Sequence, residues 1–368
     1  MLTTTGGRRR ALAVGLARAM IAGAMIAGAM IAGAMIAGLG LAAGPAVAQE
    51  VTLRLHHFLP PPSTTHKDFI APWAEKVEAE SGGRIKIEIY PAMQLGGKPP
   101  QLYDQVRDGV VDIVWTLPGY TAGRFPTIEV FELPFMAASA EATSQAAQAF
   151  YEKHARAEFA DVHPLMVHVH APGTLHIRGT EVRSLEDLKG LKVRAPTRLT
   201  NIALKELGAT PVGMPVPAVP EALSKGVVEG TMLPYEVTLP LKVHELTQSH
   251  TEVGGERGLY TAVFLFAMNK ARYDALPEDL RQVIDANSGI PLAKKIGRLW
   301  DEAEAPGRDA AAKLGDSFHV IEGEELARWQ AATAPVVDTW LASMAEAGKD
   351  GEALLAEARA LVAQYAAE

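Results

Sequence analysis

The stretch "LKGLKVRAPTRLTNIALKELGATPVGMP" (Leu188–Pro215) holds a full strand–helix–strand cycle. Leu191 and Val193 make one apolar face of a short strand, Lys192 and Arg194 stand on the other, and Pro196 turns Ala195 away from helix. "LTNIALKELG" then reads as a helix stopped at Gly208, and "PVGMP" opens the next extended segment. Arg194 therefore falls near the carboxyl end of a strand, the edge along which open α/β sheets bind ligands. Its rigid fork of five donors matches a carboxylate, and the helix that starts near Thr197–Leu199 would aim its unpaired N–H groups into the same space. The competing reading is a structural ion pair between Arg194 and Glu229 or Glu236.

The same grammar runs toward the N-terminus. "VTLRLHHF" alternates from Val51 to Leu55 as a strand, and "STTHKDFIAPWAEKVEAESGG" sets Phe69, Trp73 and Val77 at helical spacing before the Gly82–Gly83 stop. "RIKIEIY", a helix in "QLYDQVRDG" and "VVDIVWTL" complete a strand–helix–strand–helix–strand unit. Beyond Pro215 come the helix "PEALSKG" and the strand "VVEGTML". Two such units predict an α/β protein of two domains, with mixed, mostly parallel sheets covered by helices on both faces. The apolar runs at Val162–Gly173 and Gly258–Asn269 are long enough to cross between the domains, which places hinge strands near Ala171–Thr174 and Tyr260–Val263. The expected division is 49–172 with 259–298 as domain I and 173–258 with 299–368 as domain II. The alanine- and glutamate-rich part from Pro291 onward reads as outer helices.

Residues 1–48 begin with Arg8–Arg10, continue through a long Ala/Gly/Ile/Met stretch with tandem "AMIAG", and end in Ala46-Val47-Ala48. This is the layout of a signal peptide cleaved after Ala48; an uncleaved anchor is the alternative, because Ala19–Ala43 could span a bilayer by length. The segment holds four of the 35 basic residues and none of the 43 acidic ones, so its removal leaves 320 residues and moves the formal charge from −8 to −12. An acidic chain without a basic patch does not fit a nucleic-acid partner. With no cysteine, an exported protein of this kind has neither disulfides nor thiol chemistry and must rely on a full-sized core.

Catalytic signatures are weak. "HELTQSH" has its second histidine at His250, where the helical zinc spacing needs position 248, a glutamine. His168 and His170 share one side of a strand without an acidic third ligand nearby. No Gly-x-Ser-x-Gly elbow occurs, and "LGGKPP" lacks the phosphate-loop spacing. No catalytic residue, cofactor or metal is expected; an enzyme alternative would have to use His56, His57 or His176. Binding features are better represented, since Phe58, Trp115, Tyr120, Phe125 and Tyr235 cluster near strand ends, although each alone reads more readily as core than as pocket.

The blocks "GGRIKIEIYPAMQLG", "VRDGVVDIVWT", "FELPF", "LKGLKVRAP", "LGATPVGMP" with "EALSKGVVEG", and "LPEDLRQVI" occur in an order and spacing that resemble the solute-binding subunits of tripartite ATP-independent periplasmic (TRAP) transporters, the DctP-type family. The resemblance covers the whole chain after residue 48. It implies a two-domain periplasmic binding protein, braced by a long helix in the C-terminal half, which closes on a small organic acid and hands it to an ion-driven permease. It also implies that Arg194 pairs with the ligand carboxylate. The expected site is Arg194 with His57, Phe58, Trp115, Tyr120, Thr174, His176, Pro196, Met214, Met232 and Tyr235. Two departures argue against a sugar acid: Gly97-Lys98-Pro99-Pro100 replaces acidic residues, and Glu229-Gly230-Thr231-Met232-Leu233-Pro234 replaces an Asp-Gly-x-Glu-Asn-Pro pattern. A monocarboxylate with a less polar tail follows, such as a 2-oxo, hydroxy or aromatic acid. The protein is expected to be a monomer that works with TRAP membrane subunits; presentation of the acid to a membrane receptor is the alternative use of the same cleft.

Overall fold

In the computed structural model, which describes residues 49–368, the apolar alternation of the sequence becomes two mixed sheets. The signal-peptide reading concerns residues 1–48 and lies outside the described residues. In chain order the first sheet takes β1 (Val51–His57), β2 (Ile85–Tyr90), β3 (Ile113–Thr116) and β4 (Val162–Val169). The chain then builds β5 (Thr174–Ile177), β6 (Lys192–Ala195), β7 (Thr210–Gly213), β8 (Gly230–Leu233) and β9 (Ser249–Val253) of the second sheet. It returns to the first sheet for β10 (Val263–Asn269) and to the second for β11 (Ser317–Ile321). The strand orders are β2-β1-β3-β10-β4 and β11-β9-β5-β8-β6-β7.

The pairing is parallel within β2-β1-β3 and within β8-β6-β7, the units read from the sequence, and antiparallel where the crossing strands β10 and β5 enter. In β1 the buried Leu53 and Leu55 alternate with the exposed Arg54, and Leu53 lies opposite Ile87 in the register. No helix among the described residues is long and apolar enough to cross a membrane.

Of the connections that carry the chain between the sheets, the two short ones, His170–Gly173 and Gly254–Ala262, are tied to each other. The Thr261 hydroxyl donates to the His170 carbonyl (2.7 Å), the Ala262 N–H donates to His170 Nε2 (3.1 Å), and the Gly173 N–H donates to the Tyr260 carbonyl (2.9 Å). The 24-residue helix Gly323–Glu346 braces both halves. Its Trp329 is buried in the core of the second sheet, whereas its Trp340 joins the larger core and donates from Nε1 to the Pro126 carbonyl (2.8 Å).

The C-terminal segment does not follow the expected division. The helix Glu304–Leu314 packs against Tyr235–Val237 and leads into β11, but the last helix, Gly351–Ala366, packs on Ala140–Phe150 beside the first sheet. Its buried Leu355, Ala358 and Val362 complete that core, so residues 299–368 serve both halves.

Candidate functional site

Arg194 sits on β6, a central strand whose register sets it beside Val212 of β7 and Thr231 of β8. It is 1% exposed. Its Nε donates to the Met214 carbonyl (2.9 Å) and its Nη1 to the Met232 carbonyl (3.1 Å), so the strands on either side fix the fork. Burial lowers its pKa, with Tyr120 and Tyr260 opposing the shift, and no carboxylate is among the groups that act on it. The ion-pair alternative is thereby overturned. Glu229 is exposed and accepts from the Lys192 N–H (2.9 Å), and Glu236 answers to Glu304, Thr64 and Asp68.

The guanidinium faces a cavity of about 410 Å³ of empty space, part of it open to the outside. Six of its seventeen lining residues are phenylalanine, tryptophan or tyrosine. Phe264 of β10 stacks on Trp115 of β3 with ring centroids 4.6 Å apart and planes 12° from parallel, and the Phe58 ring centroid lies 4.8 Å from that of Trp115. Trp115 is held by its Nε1–H, which donates to His168 Nε2 (2.9 Å), so the His168 ring carries its proton on Nδ1 toward the Val169 carbonyl. Tyr120, Tyr260 and Trp300 close other sides, and Pro196, Leu233 and Val216 add aliphatic surface.

Three polar groups besides Arg194 bear on the site. His170 lines it as a neutral ring, with Nε2 accepting from Ala262 and Nδ1 donating to the Ala171 carbonyl; burial pushes its pKa down to about 4. Glu236 lines it from the turn after β8. Glu132 lies at the junction of the halves, where its Oε1 accepts from the Val263 N–H (3.1 Å) and burial pushes its carboxyl up to about 8, helped by Glu129. Beside it, Arg198 at the start of the helix Arg198–Glu206 forms an ion pair with Glu129 of the facing half. The Val216 N–H also donates across the cleft to the Tyr120 hydroxyl (3.0 Å).

Of the residues expected from the sequence, Arg194, Phe58, Trp115, Tyr120 and Pro196 come together around this cavity, and six do not line it. His57 ends β1 in the first sheet, buried, where it accepts from the Leu59 N–H and bonds His66. His176 lies in the second sheet, bonded to His250 (2.8 Å) and to the Leu233 carbonyl (3.1 Å). Thr174 starts β5 opposite Leu233. Tyr235 packs on His176 and donates its hydroxyl to Glu252 (3.0 Å). Met232 and Met214 act through their carbonyls only: the Met232 side chain is in the second core, and Met214 borders a neighbouring surface cleft. The N-terminus of the helix after Arg194 is not open either, because Thr197 and Thr200 cap each other (Thr197 N–H to Thr200 Oγ1, 3.0 Å). Sequence reasoning missed Tyr260, Phe264, His170 and Trp300. The first three stand on or beside the crossing segments, where a cleft-lining role was inferable from the hinge itself.

Residues 55–343 match the family described as bacterial extracellular solute-binding protein, family 7. Among solved structures, the chain is similar to a marine metagenome TRAP solute binding protein specific for aromatic acid ligands, crystallised with 3-hydroxybenzoate. The two are 52% identical, the match covers 86% of this chain and 99% of that one, and the TM-score is 0.85. A TRAP solute binding protein of Rhodoferax ferrireducens, in complex with copurified benzoate, is 50% identical over 86% of this chain and 98% of that one, with a TM-score of 0.84. The outer membrane transporter protein TsaT of Comamonas testosteroni is 31% identical over 314 residues, 84% of this chain and 90% of that protein.

Proposed function

Because this chain belongs to the bacterial extracellular solute-binding proteins of family 7, we propose that it captures an aromatic monocarboxylate in the cavity around Arg194. It works in the periplasm, as a monomer, and passes the acid to the membrane subunits of a TRAP permease. The observation that carries this reading is a buried guanidinium with no acidic partner at the end of an aromatic-walled cavity. A buried cation is costly unless an anion joins it. A ligand carboxylate supplies that anion, and Trp115, Phe58 and Phe264, packed on one another, line the cavity with apolar surface for a flat ring. The benzoate and 3-hydroxybenzoate bound by the similar proteins support the same chemistry.

The ring and the carboxylate are both needed. Two charge-assisted hydrogen bonds contribute roughly 3–6 kcal/mol, short of the about 8 kcal/mol of a micromolar complex. Burial of the ring must provide the remainder. Arg194 comes from the second sheet and Phe58, Trp115 and Tyr120 from the first half, so the ligand favours closure by touching both. We assign no catalytic step: the ring nitrogens of His57, His170 and His176 are committed to protein partners. Titration calorimetry of the purified protein with benzoate, a hexuronate and sialic acid tests the proposal. Benzoate should bind at micromolar concentration or below, and tighter binding of either sugar acid would overturn it.

A further inference from the structure

Glu236 stands on the turn Tyr235–Val237 that follows β8, and that turn is clamped from below. The Glu304 carboxylate accepts from the Tyr235 N–H (3.0 Å) and from the Glu236 N–H (2.8 Å). The side chain of Glu236 is 5% exposed and lines the same cavity as Arg194, yet its Oε1 is buried without a hydrogen-bond partner. A buried polar atom left unsatisfied in a fixed turn costs free energy, and a ligand group that fills it recovers that cost. The groups that act on the Glu236 carboxyl are Glu304, Thr64 and Asp68, and Arg194 is not one of them, so the two do not pair. Burial, reinforced by Glu304, pushes the Glu236 carboxyl up to about 8, which keeps it neutral at pH 7. A neutral carboxyl does not repel an organic anion, and it both donates and accepts, as a phenol does.

We propose that Glu236 reads a hydroxyl on the ring of the bound acid, so that the protein selects hydroxylated aromatic carboxylates over unsubstituted ones. This rests on the aromatic-acid reading of the cavity, which Arg194, Glu236, Leu233 and the aromatic side chains line together: the carboxylate is held at Arg194 and the hydroxyl at Glu236. A site built to bond a hydroxyl discriminates against the analogue that lacks it, because the analogue leaves the buried group unpaired.

The test is calorimetry at pH 7 with benzoate, 3-methylbenzoate, 3-hydroxybenzoate and 4-hydroxybenzoate, on the wild type, Glu236→Gln and Glu236→Leu. At least one hydroxybenzoate should bind the wild type tenfold or more tighter than 3-methylbenzoate, which matches it in size. The ratio should fall to about one in Glu236→Leu and be largely kept in Glu236→Gln, whose amide also donates and accepts. If the leucine variant does not fold, Glu236→Met, of similar length and without a polar oxygen, makes the same comparison. Equal binding of hydroxy and methyl acids by the wild type, or a preference that survives the apolar substitution, overturns the inference. Failure of all four aromatic acids to bind would instead sink the aromatic-acid reading, and this inference with it.

Discussion

Replacing Arg194 with methionine separates a ligand anchor from a structural arginine. Of the five N–H donors of the guanidinium, one on Nε and one on Nη1 are spent on the Met214 and Met232 carbonyls. The remainder are available to a bidentate carboxylate, at roughly 1.5–3 kcal/mol per charge-assisted bond. Their loss is about 3–6 kcal/mol, or ~100-fold to 10,000-fold in affinity for benzoate. The ligand-free protein should respond quite differently. Arg194→Met forfeits two carbonyl hydrogen bonds but also removes a buried cation that has no acidic partner, and apolar replacement of buried charge is often neutral. Thermal melts with and without benzoate read both effects. Ligand at a hundred times its dissociation constant adds about 2.7 kcal/mol, which for a chain of this size is a rise of roughly 4 °C. The wild type should show that rise, and Arg194→Met should melt within a few degrees of the ligand-free wild type and show none. A variant that still binds benzoate within tenfold of the wild type would refute the anchor.

A Cβ on Gly173 would lie 2.0 Å from Cε1 of Tyr260, so Gly173→Ala must displace a cavity ring at the hinge. We expect about 1–3 kcal/mol of destabilisation and weaker benzoate binding, and a variant with unchanged melting and affinity would contradict that packing. Glu132→Gln tests the junction of the halves by pH. A carboxyl raised to about 8 by burial is protonated in the folded chain and ionised in the unfolded chain between about 4.5 and 8, so its contribution is present below that window and lost as pH rises through it. Melts of the wild type should therefore fall relative to Glu132→Gln between pH 5 and 8.5, and parallel curves would remove the effect. Arg198→Ala strips the ion pair that joins the helix Arg198–Glu206 to Glu129. X-ray scattering should show a more open ligand-free protein, with benzoate affinity reduced about tenfold, ~1.4 kcal/mol of closed-state preference; an unchanged profile and affinity would mean that the pair does not hold the halves.

The parallel parts of both sheets were legible because β1, β2, β3 and β6 carry clean alternation or short apolar runs bounded by Gly and Pro. β5, β9 and β11 were not. "SHTEV" and "SFHVI" are short and polar, and β11 is only partly buried at the rim of its sheet, so their strand state is set by neighbours and not by their own pattern. Arg194, Phe58, Trp115, Tyr120 and Pro196 could be gathered because strand ends in α/β sheets mark the ligand edge. Met214 and Met232 were chosen for their side chains, yet what they bring to Arg194 is backbone, which any residue there would offer. His57 and His176 were expected at the site, and burial with protein partners accounts for both. Trp300 left no signal, since nothing local tells which face of a C-terminal helix meets the cleft.

The most direct test of the central claim compares benzoate with benzamide by titration calorimetry on the purified protein. The two share ring, size and planarity and differ in the charge that Arg194 is held to meet. Benzoate should bind at micromolar concentration or tighter, and benzamide at least a hundredfold more weakly. Comparable affinities, or tighter binding of the amide, would contradict the account, because the cavity would then recognise a flat ring without its buried cation taking part.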